Sequence, residues 1–300
     1  MANTRDIKKR IKAVGNIKRI TRTMQMIATS KFSKASTRAT ATKPYTEGVF
    51  DLVTELAATA GNISHPLIDG PAEGFKDDAK ELTLRGTSDR GLCGPYNGSI
   101  LRLAQQHLRE NDSAKHGLID LVGKKGAAFL KFNNIDVSEH ISLGDEPTFE
   151  DVERIAQRYM DQFTAGEITA VRVIYMRFVS AGKQVPTIMN LLPLKPPAVE
   201  ESTDDASSPN SSGPNLEYEF SPAAEELLAD LLPSTVKASL FQAFNDAIVS
   251  EHVARMVAMK AATDNAGKMG KDLTRVYNRA RQAQITTELT EIISGAAALE

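Results

Sequence analysis

The residues best suited to chemistry lie in a glycine-rich stretch that follows the strand-like segment ELTLRGTSD and reads SDRGLCGPYNG. A loop between a strand and a helix can hold a phosphate group on the backbone N–H groups at the helix N-terminus. The glycines do not follow the dinucleotide pattern G-x-G-x-x-G, and Pro95 removes one backbone donor. The pattern therefore favours a structural turn over a dinucleotide site.

Other candidate sites are equally weak. The sequence contains no G-x-x-x-x-G-K-[ST] motif, so we expect no ATP binding through a P-loop. Cys93 precedes a predicted helix N-terminus, where thiolates are favoured, but no histidine lies near it in sequence, and a small semi-buried residue is the favoured interpretation. The five histidines are scattered without metal-ligand spacing. We predict no catalytic residue, no cofactor and no metal, and hence a chain without ATPase activity of its own.

The middle of the chain alternates strand-like and helix-like segments. Strands are predicted in ELTLRGTSD, GLIDLVG and IDVSEHISLG, and helices in SILRLAQQHLREN, KKGAAFLKFNN and FEDVERIAQRYMDQF. Two Val- and Ile-rich segments, ITAVRVIYMRFVSAG and VPTIMNLLPL, predict a hairpin that turns at residues 181–183. Such alternation is typical of a parallel or mixed α/β sheet. We assign this α/β domain, Rossmann-like in pattern, to residues 79–194.

Two long helices are predicted at the ends of the chain. No proline follows Pro233, and small or apolar residues then recur in steps of four and three, a heptad seam that implies a left-handed supercoil. The predicted seam positions are Ala262, Ala266, Met269, Leu273, Val276, Ala280, Ala283 and Thr287. The N-terminal stripe comprises Ile7, Ile11, Val14, Ile17, Ile20, Met24 and Ile27, continued by Ala28, Phe32, Ala35 and Ala39. Pro44 should bend this helix or start a new one.

These patterns predict the fold class α/β plus a long antiparallel α-helical coiled coil formed by the N- and C-terminal helices. The alternative is two amphipathic helices that both pack on one large core. The predicted domains are an N-terminal helix at residues 1–60, the α/β domain, an acidic insertion at 195–215 that lacks large apolar residues and is expected to be disordered, and a C-terminal helical region at 216–300.

Charge is distributed unevenly. Residues 1–43 contain twelve Lys and Arg against Asp6 alone, whereas residues 197–236 contain nine acidic residues and no Lys or Arg. A basic helix attracts acidic partners, which could be nucleic acid, lipid or protein. An organelle presequence would share this composition, but the helix is needed to cover the C-terminal seam. No stretch approaches the ~20 apolar residues of a membrane span.

Three segments then identify a family. The opening MANTRDIKKRIKAVGNIKRITRTMQMIATSKFSKA resembles the start of the ATP synthase gamma subunit, SDRGLCGPYN resembles its strand-to-helix turn, and SEHVARMVAMKAATDNAGKMGKDLTRVYNRARQAQITTELTEIISGAAAL resembles its C-terminal signature. The segments occur in the family's order and span almost the whole chain. The resemblance implies a central rotor shaft inside a ring of three α and three β subunits, with an α/β foot that contacts the epsilon subunit and the membrane c-ring.

The resemblance also implies functional residues. Met24 matches the shaft position that faces the acidic lever of β, and the basic helix that carries Lys8, Lys9 and Arg10 would meet acidic β segments. Matches to positions of β contact and coupling are Arg255, Arg281, Gln282, Thr286 and Glu288. Ile292 to Leu299 match the tip held in the apolar bearing of the ring. Further implied partners are the delta subunit and, through the c-ring, the cytoplasmic face of a bacterial inner membrane.

The sequence departs from the family pattern in two places, which limits what the resemblance implies. Pro95 stands where the family commonly has glycine or another small residue, and the insertion at 195–215 has no cysteine, so the thiol switch of photosynthetic gamma subunits cannot operate. The alternative function is a basic coiled-coil protein that binds nucleic acid or an anionic membrane. A salt-steep affinity for DNA would favour that alternative, whereas stoichiometric capture by an ATPase ring would favour the shaft.

Overall fold

The protein is described by a computed structural model that covers residues 4–60, 65–144, 146–194 and 224–297, the side chains of 54–60 and 224–226 excepted. The predicted insertion at 195–215 and the end of the predicted tip, Leu299, lie outside the described residues. The described chain divides into two compact units. We call one the two-helix unit (Met1–Ser33, Leu92–Gly94 and His252–Glu300) and the other the sheet unit (Lys34–Gly91 and Pro95–Glu251). The sequence-based domain boundaries stay predictions.

The elements follow one another in an α/β order between two long helices. They are α1 (Thr4–Ala60), α2 (Pro66–Asp69), β1 (Lys80–Gly86), α3 (Tyr96–Glu110), α4 (Asp112–Lys115), β2 (Leu118–Val122), α5 (Lys124–Phe132), β3 (Glu139–Ile141), α6 (Phe149–Thr164), β4 (Ile168–Ser180), β5 (Lys183–Leu192) and α7 (Ala224–Ala297). The predicted strands, helices and hairpin of the middle region are all present, and the predicted fold class is confirmed.

The sheet has the strand order β3-β2-β1-β4-β5, with four parallel strands and β5 antiparallel at one edge. One face packs on α6 and on the first part of α7 through a single core that contains Leu84, Val173, Tyr159 and Phe244. On the opposite face, Glu81 of β1 bonds His107 of α3, and Leu121 of β2 packs on α5. Both faces of the sheet are therefore covered, as is typical of parallel strands.

Helix α6 shows how local chemistry sets an element boundary. Thr148 accepts a hydrogen bond from the backbone N–H of Asp151, and the Asp151 side chain accepts one from the backbone N–H of Thr148. This capping box satisfies two donors that the first turn of a helix would otherwise leave without partners. The start of α6 could therefore be predicted from sequence to within a residue.

Two prolines lie inside the long helices. Helix α1 continues through Pro44, so no new helix starts there, and α7 runs through Pro233 as one helix of 74 residues. A proline inside a helix costs a hydrogen bond and crowds the preceding turn, at about 3 kcal/mol. The apolar contacts on both sides of Pro233, through the buried Leu232 and Val236, extend α7 across it. Packing has overridden local propensity at this position.

Candidate partner-binding surface

The two-helix unit is an antiparallel pair formed by the start of α1 and the end of α7. Thr4 bonds Gln284 at 3.2 Å, and Thr21 bonds Thr263 at 2.8 Å. Between these levels, Val14 lies opposite Gly270. Residue numbers therefore fall on α7 as they rise on α1, which confirms that the terminal helices pair antiparallel within this unit.

The heptad period of α7 is confirmed, but half of its predicted seam positions are wrong. Ala262, Ala266, Leu273 and Ala280 are buried or half-buried, whereas Met269, Val276, Ala283 and Thr287 are exposed. The positions that alternate at heptad spacing and are covered are Met259, Thr263, Ala266, Gly270, Leu273, Tyr277 and Ala280. A glycine and a threonine occupy the seam because the side chains opposite them, Val14 and Thr21, supply bulk and a hydrogen bond.

The predicted apolar stripe on α1 is also wrong at several positions. Its buried positions recur at intervals of seven, at Ile7, Val14, Thr21 and Ala28. Ile17, Ile20 and Ile27 were predicted to lie in the seam, yet 52%, 59% and 53% of their surface is exposed. A straight α-helix has a period of 3.6 residues and the heptad seam one of 3.5, and the two diverge by about 20° per heptad. A stripe predicted from apolar residues alone therefore departs from the line along which the helices are in contact.

The two-helix unit consequently exposes large apolar side chains that its own seam does not use. They are Ile17, Ile20, Met26 and Ile27 on α1, and Val257, Met269 and Val276 on α7. Single exposed apolar residues are common on protein surfaces, but an extended set on one small unit marks an interaction surface. These residues are candidates for contact with a partner protein.

The end of α7 extends beyond its partner helix. Thr4, the first described residue of α1, lies level with Gln284, and α7 continues to Ala297, which is about 20 Å farther at 1.5 Å per residue. Every residue from 281 to 297 is exposed. Ile285, Leu289 and Ile292 recur there at steps of four and three, and Ile292 exposes 68% of its surface. The described residues provide no cover for this stripe.

The two-helix unit is also strongly basic. It contains sixteen Lys and Arg against six Asp and Glu, a formal charge of +10, whereas the whole chain has −2 and the remainder therefore −12. Lys8, Lys9 and Arg10 are exposed on α1. A surface that combines such charge with exposed apolar side chains fits an acidic protein partner with apolar pockets.

The structure places most residues inferred from the family resemblance on this surface. Lys8, Lys9, Arg10, Arg281, Gln282, Thr286, Glu288 and Ile292 are exposed, and Met24 and Arg255 are half-buried. Thr286 donates to the carbonyl of Gln282, and Gln284 donates to Glu288 at 2.9 Å, so this face of α7 is organised within the helix. Sequence reasoning missed Ile285 and Leu289, although their spacing to Ile292 carried the signal.

Residues at the start of the glycine-rich turn bind the N-terminus of the neighbouring helix α5. The backbone N–H groups of Lys124, Lys125 and Gly126, at the start of α5, donate to Asp89, to the carbonyl of Ser88 and to the hydroxyl of Thr87 respectively. These N–H groups are the ones that a helix would offer to a phosphate. Because the neighbouring turn binds them, this helix N-terminus does not present them to a ligand.

The packing of this turn also explains a glycine. A Cβ atom on Gly126 would lie 2.5 Å from the hydroxyl oxygen of Thr87 and 2.7 Å from the side chain of Leu121. Neither distance is compatible with a side chain.

Within the described ranges, no group of three or more His, Cys, Asp or Glu converges to hold a metal ion. The helices described there also lack the length and apolar character that would be needed to cross a bilayer.

Comparison with protein families gives one match across nearly the whole chain. The family model described as ATP synthase matches residues 3–299. A relative from Rhodopirellula baltica, an ATP synthase gamma chain, is 43% identical over 302 aligned positions that cover all of both chains. The ATP synthase gamma chain of Desulfitobacterium hafniense is 38% identical, again over the full length of both.

Solved structures show the same architecture. A chain of the Euglena gracilis mitochondrial ATP synthase, from the OSCP/F1/c-ring assembly, aligns with a TM-score of 0.63 and 19% identity over 99% of this chain and 94% of that one. A chain of the rotor of the same enzyme aligns with a TM-score of 0.62 over 94% of this chain and 98% of that one, also at 19% identity. At this identity the likeness concerns the fold.

Proposed function

This chain belongs to the ATP synthase gamma family and is a non-catalytic central-stalk subunit of that complex, and on this premise we propose how its surfaces do the work of a rotor shaft. The two-helix unit lies within a ring of three α and three β subunits and turns there. The observation that supports this most directly is the end of α7, a single exposed helix whose apolar stripe Ile285–Leu289–Ile292 lacks cover in the described chain.

The coupling is allostery by a moving ligand. A ligand shifts a conformational equilibrium only by its difference in affinity for the two states. The shaft therefore has to present different side chains to each β subunit. The antiparallel pair does so because Lys8, Lys9 and Arg10 lie on one helix, while Arg281, Gln282 and Glu288 lie on the other. Rotation brings each set to each β subunit in turn and alters its affinity for nucleotide.

Further contacts are proposed for individual residues. The positive charge of the two-helix unit pairs with acidic β segments, Met24 faces the β lever, and Arg255 contacts β. The tip from Ile292 to Leu299 is held in the apolar bearing of the ring. Within the complex, the sheet unit contacts the epsilon subunit and the c-ring, and the delta subunit completes the partner set. The c-ring would keep the chain at the cytoplasmic face of a bacterial inner membrane.

A second candidate function is favoured by the same charge. A unit with a formal charge of +10 could bind nucleic acid or an anionic membrane. The exposed side chains of Ile17, Ile20 and Ile27 argue for the shaft, because a phosphate backbone offers them no apolar contact. DNA binding would weaken steeply with salt, whereas capture by a protein ring that also buries apolar side chains would weaken less.

The test is capture of the full chain by the α and β subunits of the same organism. We expect a stable complex of three α, three β and one copy of this chain, seen by native mass spectrometry and retained at both low and high salt. A DNA-binding measurement on the same sample is the comparison. Binding of DNA without capture by the ring would overturn the proposed function.

A further inference from the structure

Helix α7 belongs to both units, so its attachment to the sheet decides whether a turning force passes along it. From Leu232 to Ala247 its buried face packs on the sheet through apolar side chains. Apolar packing is not directional. A small apolar cavity lies in this contact, lined by residues that include Leu84, Val173, Phe244 and Ala247. Directional hydrogen bonds at this contact would add to the resistance that packing offers against rotation of α7 about its own axis.

Strand β4 provides directional groups beside this contact. Its pairing with β1 ends at Ile174, but β4 continues to Ser180. Beyond Ile174, none of the described strands pairs with the edge of β4 that faced β1. Backbone groups of alternate residues point to the same edge of a strand, so the carbonyl of Met176 and the N–H of Phe178 share an edge. Unpaired strand edges require covering.

Two side chains of α7 bind these groups. The hydroxyl of Ser250, which is fully buried, donates to the carbonyl of Met176 at 3.1 Å. The backbone N–H of Phe178 favours the charged form of the Asp246 carboxylate and so opposes the rise in the pKa of Asp246 that burial causes. Gln242, one turn earlier on the same helix, donates to Asp246 at 3.0 Å and fixes its side chain.

The spacings of the helix and the strand match. Four helical residues rise about 6 Å, and two strand residues span about 6.8 Å. Asp246 and Ser250 thus reach Phe178 and Met176 at the same time. The hydroxyl of Tyr96 adds a third bond, to the carbonyl of Ala247 at 3.2 Å. Sliding α7 by one turn, or rotating it, would break all of these bonds together.

We propose that Asp246 and Ser250 form a clamp that locks α7 against rotation on the sheet and so transmits torque along α7. This inference rests on the proposed rotor function. The clamp lies at the end of the sheet unit, at Glu251, where α7 passes into the two-helix unit. A torque on the part of α7 in the two-helix unit would therefore reach Asp246 and Ser250 before it reached the rest of α7 in the sheet unit.

The experiment compares two double variants of the complete ATP synthase in membrane vesicles. The test variant is D246A/S250A. The matched control is D230A/S234A, which changes the same residue types at the same spacing on the same helix. Asp230 is exposed, and Ser234 donates to the carbonyl of Asp230 within its own helix at 3.1 Å. The readout is the ratio of ATP-driven proton uptake to ATP hydrolysis.

We expect the ratio to fall by about fivefold in D246A/S250A, the change in population that about 1 kcal/mol produces, and to be unchanged in the control. D246N, which keeps an acceptor oxygen for Phe178, should retain the wild-type ratio. An unchanged ratio in D246A/S250A would overturn the clamp, as would an equal fall in both double variants. If D246A/S250A does not assemble, S250A is compared with S234A, and equal ratios for these two overturn the clamp.

The failure of the clamp can be told apart from failure of the proposed function. If the wild-type chain does not restore any proton uptake to vesicles that lack it, the rotor function itself is wrong. If the wild-type chain restores uptake and the two double variants behave alike, only the clamp is wrong. Thermal unfolding of each variant chain reports stability separately from coupling.

Discussion

The hydroxyl of Thr263 on α7 donates to the hydroxyl oxygen of Thr21 on α1 at 2.8 Å, inside the seam of the two-helix unit. Both side chains are buried. Thr263 also lies 2.8 Å from the carbonyl of Met259, and Thr21 donates to the carbonyl of Lys18. A buried polar pair of this kind can specify register, because a shifted alignment would leave both hydroxyls opposite apolar groups.

The glycine of the seam, Gly270, is predicted to be replaceable. A Cβ atom on Gly270 would lie 3.9 Å from the side chain of Val14, an ordinary contact distance. Gly270→Ala should therefore raise the free energy of unfolding by about 1 kcal/mol through helix propensity. Gly126→Ala is the control and should lower it by about 1–3 kcal/mol, because its Cβ has no space. Urea denaturation measures both, and a loss of stability in Gly270→Ala would show that close approach requires glycine there.

Arg85 is predicted to destabilise the sheet unit. Its side chain is fully buried in β1, and its three guanidinium nitrogens have no hydrogen-bond partner among the described residues. Burial lowers the pKa of Arg85 to about 10, so the residue stays charged at neutral pH. Because the folded-state pKa lies below the unfolded one, the cost is fully present below about pH 10 and is relieved only above it.

Arg85→Met should therefore raise the free energy of unfolding by about 1 kcal/mol or more, equally at pH 6 and pH 8. Arg172→Met is the matched control on β4, since the Nε of Arg172 donates to the buried Glu81 at 3.1 Å. This control should be destabilised. Denaturant titrations in which Arg85→Met is the less stable of the two would contradict the account.

Asp246 should give the sheet unit a pH-dependent component of stability. Burial raises its pKa, while Gln242, the Phe178 N–H, Lys43 and Arg177 act in the opposite direction. The pKa of Asp246 in the folded protein lies above the ordinary value of 3.8, so the folded protein binds this proton more tightly than the unfolded chain does. Stability therefore falls as the pH rises from 3.8 through the folded-state pKa. Asp246→Asn cannot ionise and should lack this fall, so stability curves from about pH 4 to about pH 7 should diverge from the wild type. Parallel curves would contradict the raised pKa.

The apolar tip of α7 should matter for assembly and not for stability. Ile292→Asp changes an exposed side chain on a helix without cover in the described chain, so the thermal unfolding midpoint should not change. Capture by the α and β subunits should weaken by about 10- to 100-fold, the effect of losing one buried Ile at about 1.5–3 kcal/mol. Thr290→Asp is the matched control, because its hydroxyl bonds within α7. Equal affinities for the two variants would exclude the tip from the interface.

Much of the fold could be predicted because local and tertiary signals agree. The strands of the sheet carry apolar side chains into the core, and Thr148 and Asp151 mark the start of α6. The seam could be predicted only in its period. Met269 and Val276 look like seam residues, but Gly270 and Tyr277 occupy those levels, because the choice depends on what α1 places opposite them. A single chain pattern does not contain that information.

The candidate surface shows the same limit. Lys8 and Arg281 could be located on it from the family resemblance, and both are exposed. The pairing of Asp246 and Ser250 with β4 could not, because it depends on where β1 ends beside β4. Neither residue has a sequence signature, since a buried serine and a half-buried aspartate on a helix resemble ordinary polar positions.

The most direct test of a rotor shaft is to observe rotation. The α and β ring is fixed to a surface, this chain is assembled into it, and a bead is attached to the sheet unit through a cysteine introduced at the exposed residue Ser180, with Cys93 replaced by serine. On addition of ATP, the account predicts rotation in one direction with three pauses per turn, one for each β subunit. A bead that fluctuates without net rotation, while the same ring hydrolyses ATP, would contradict it.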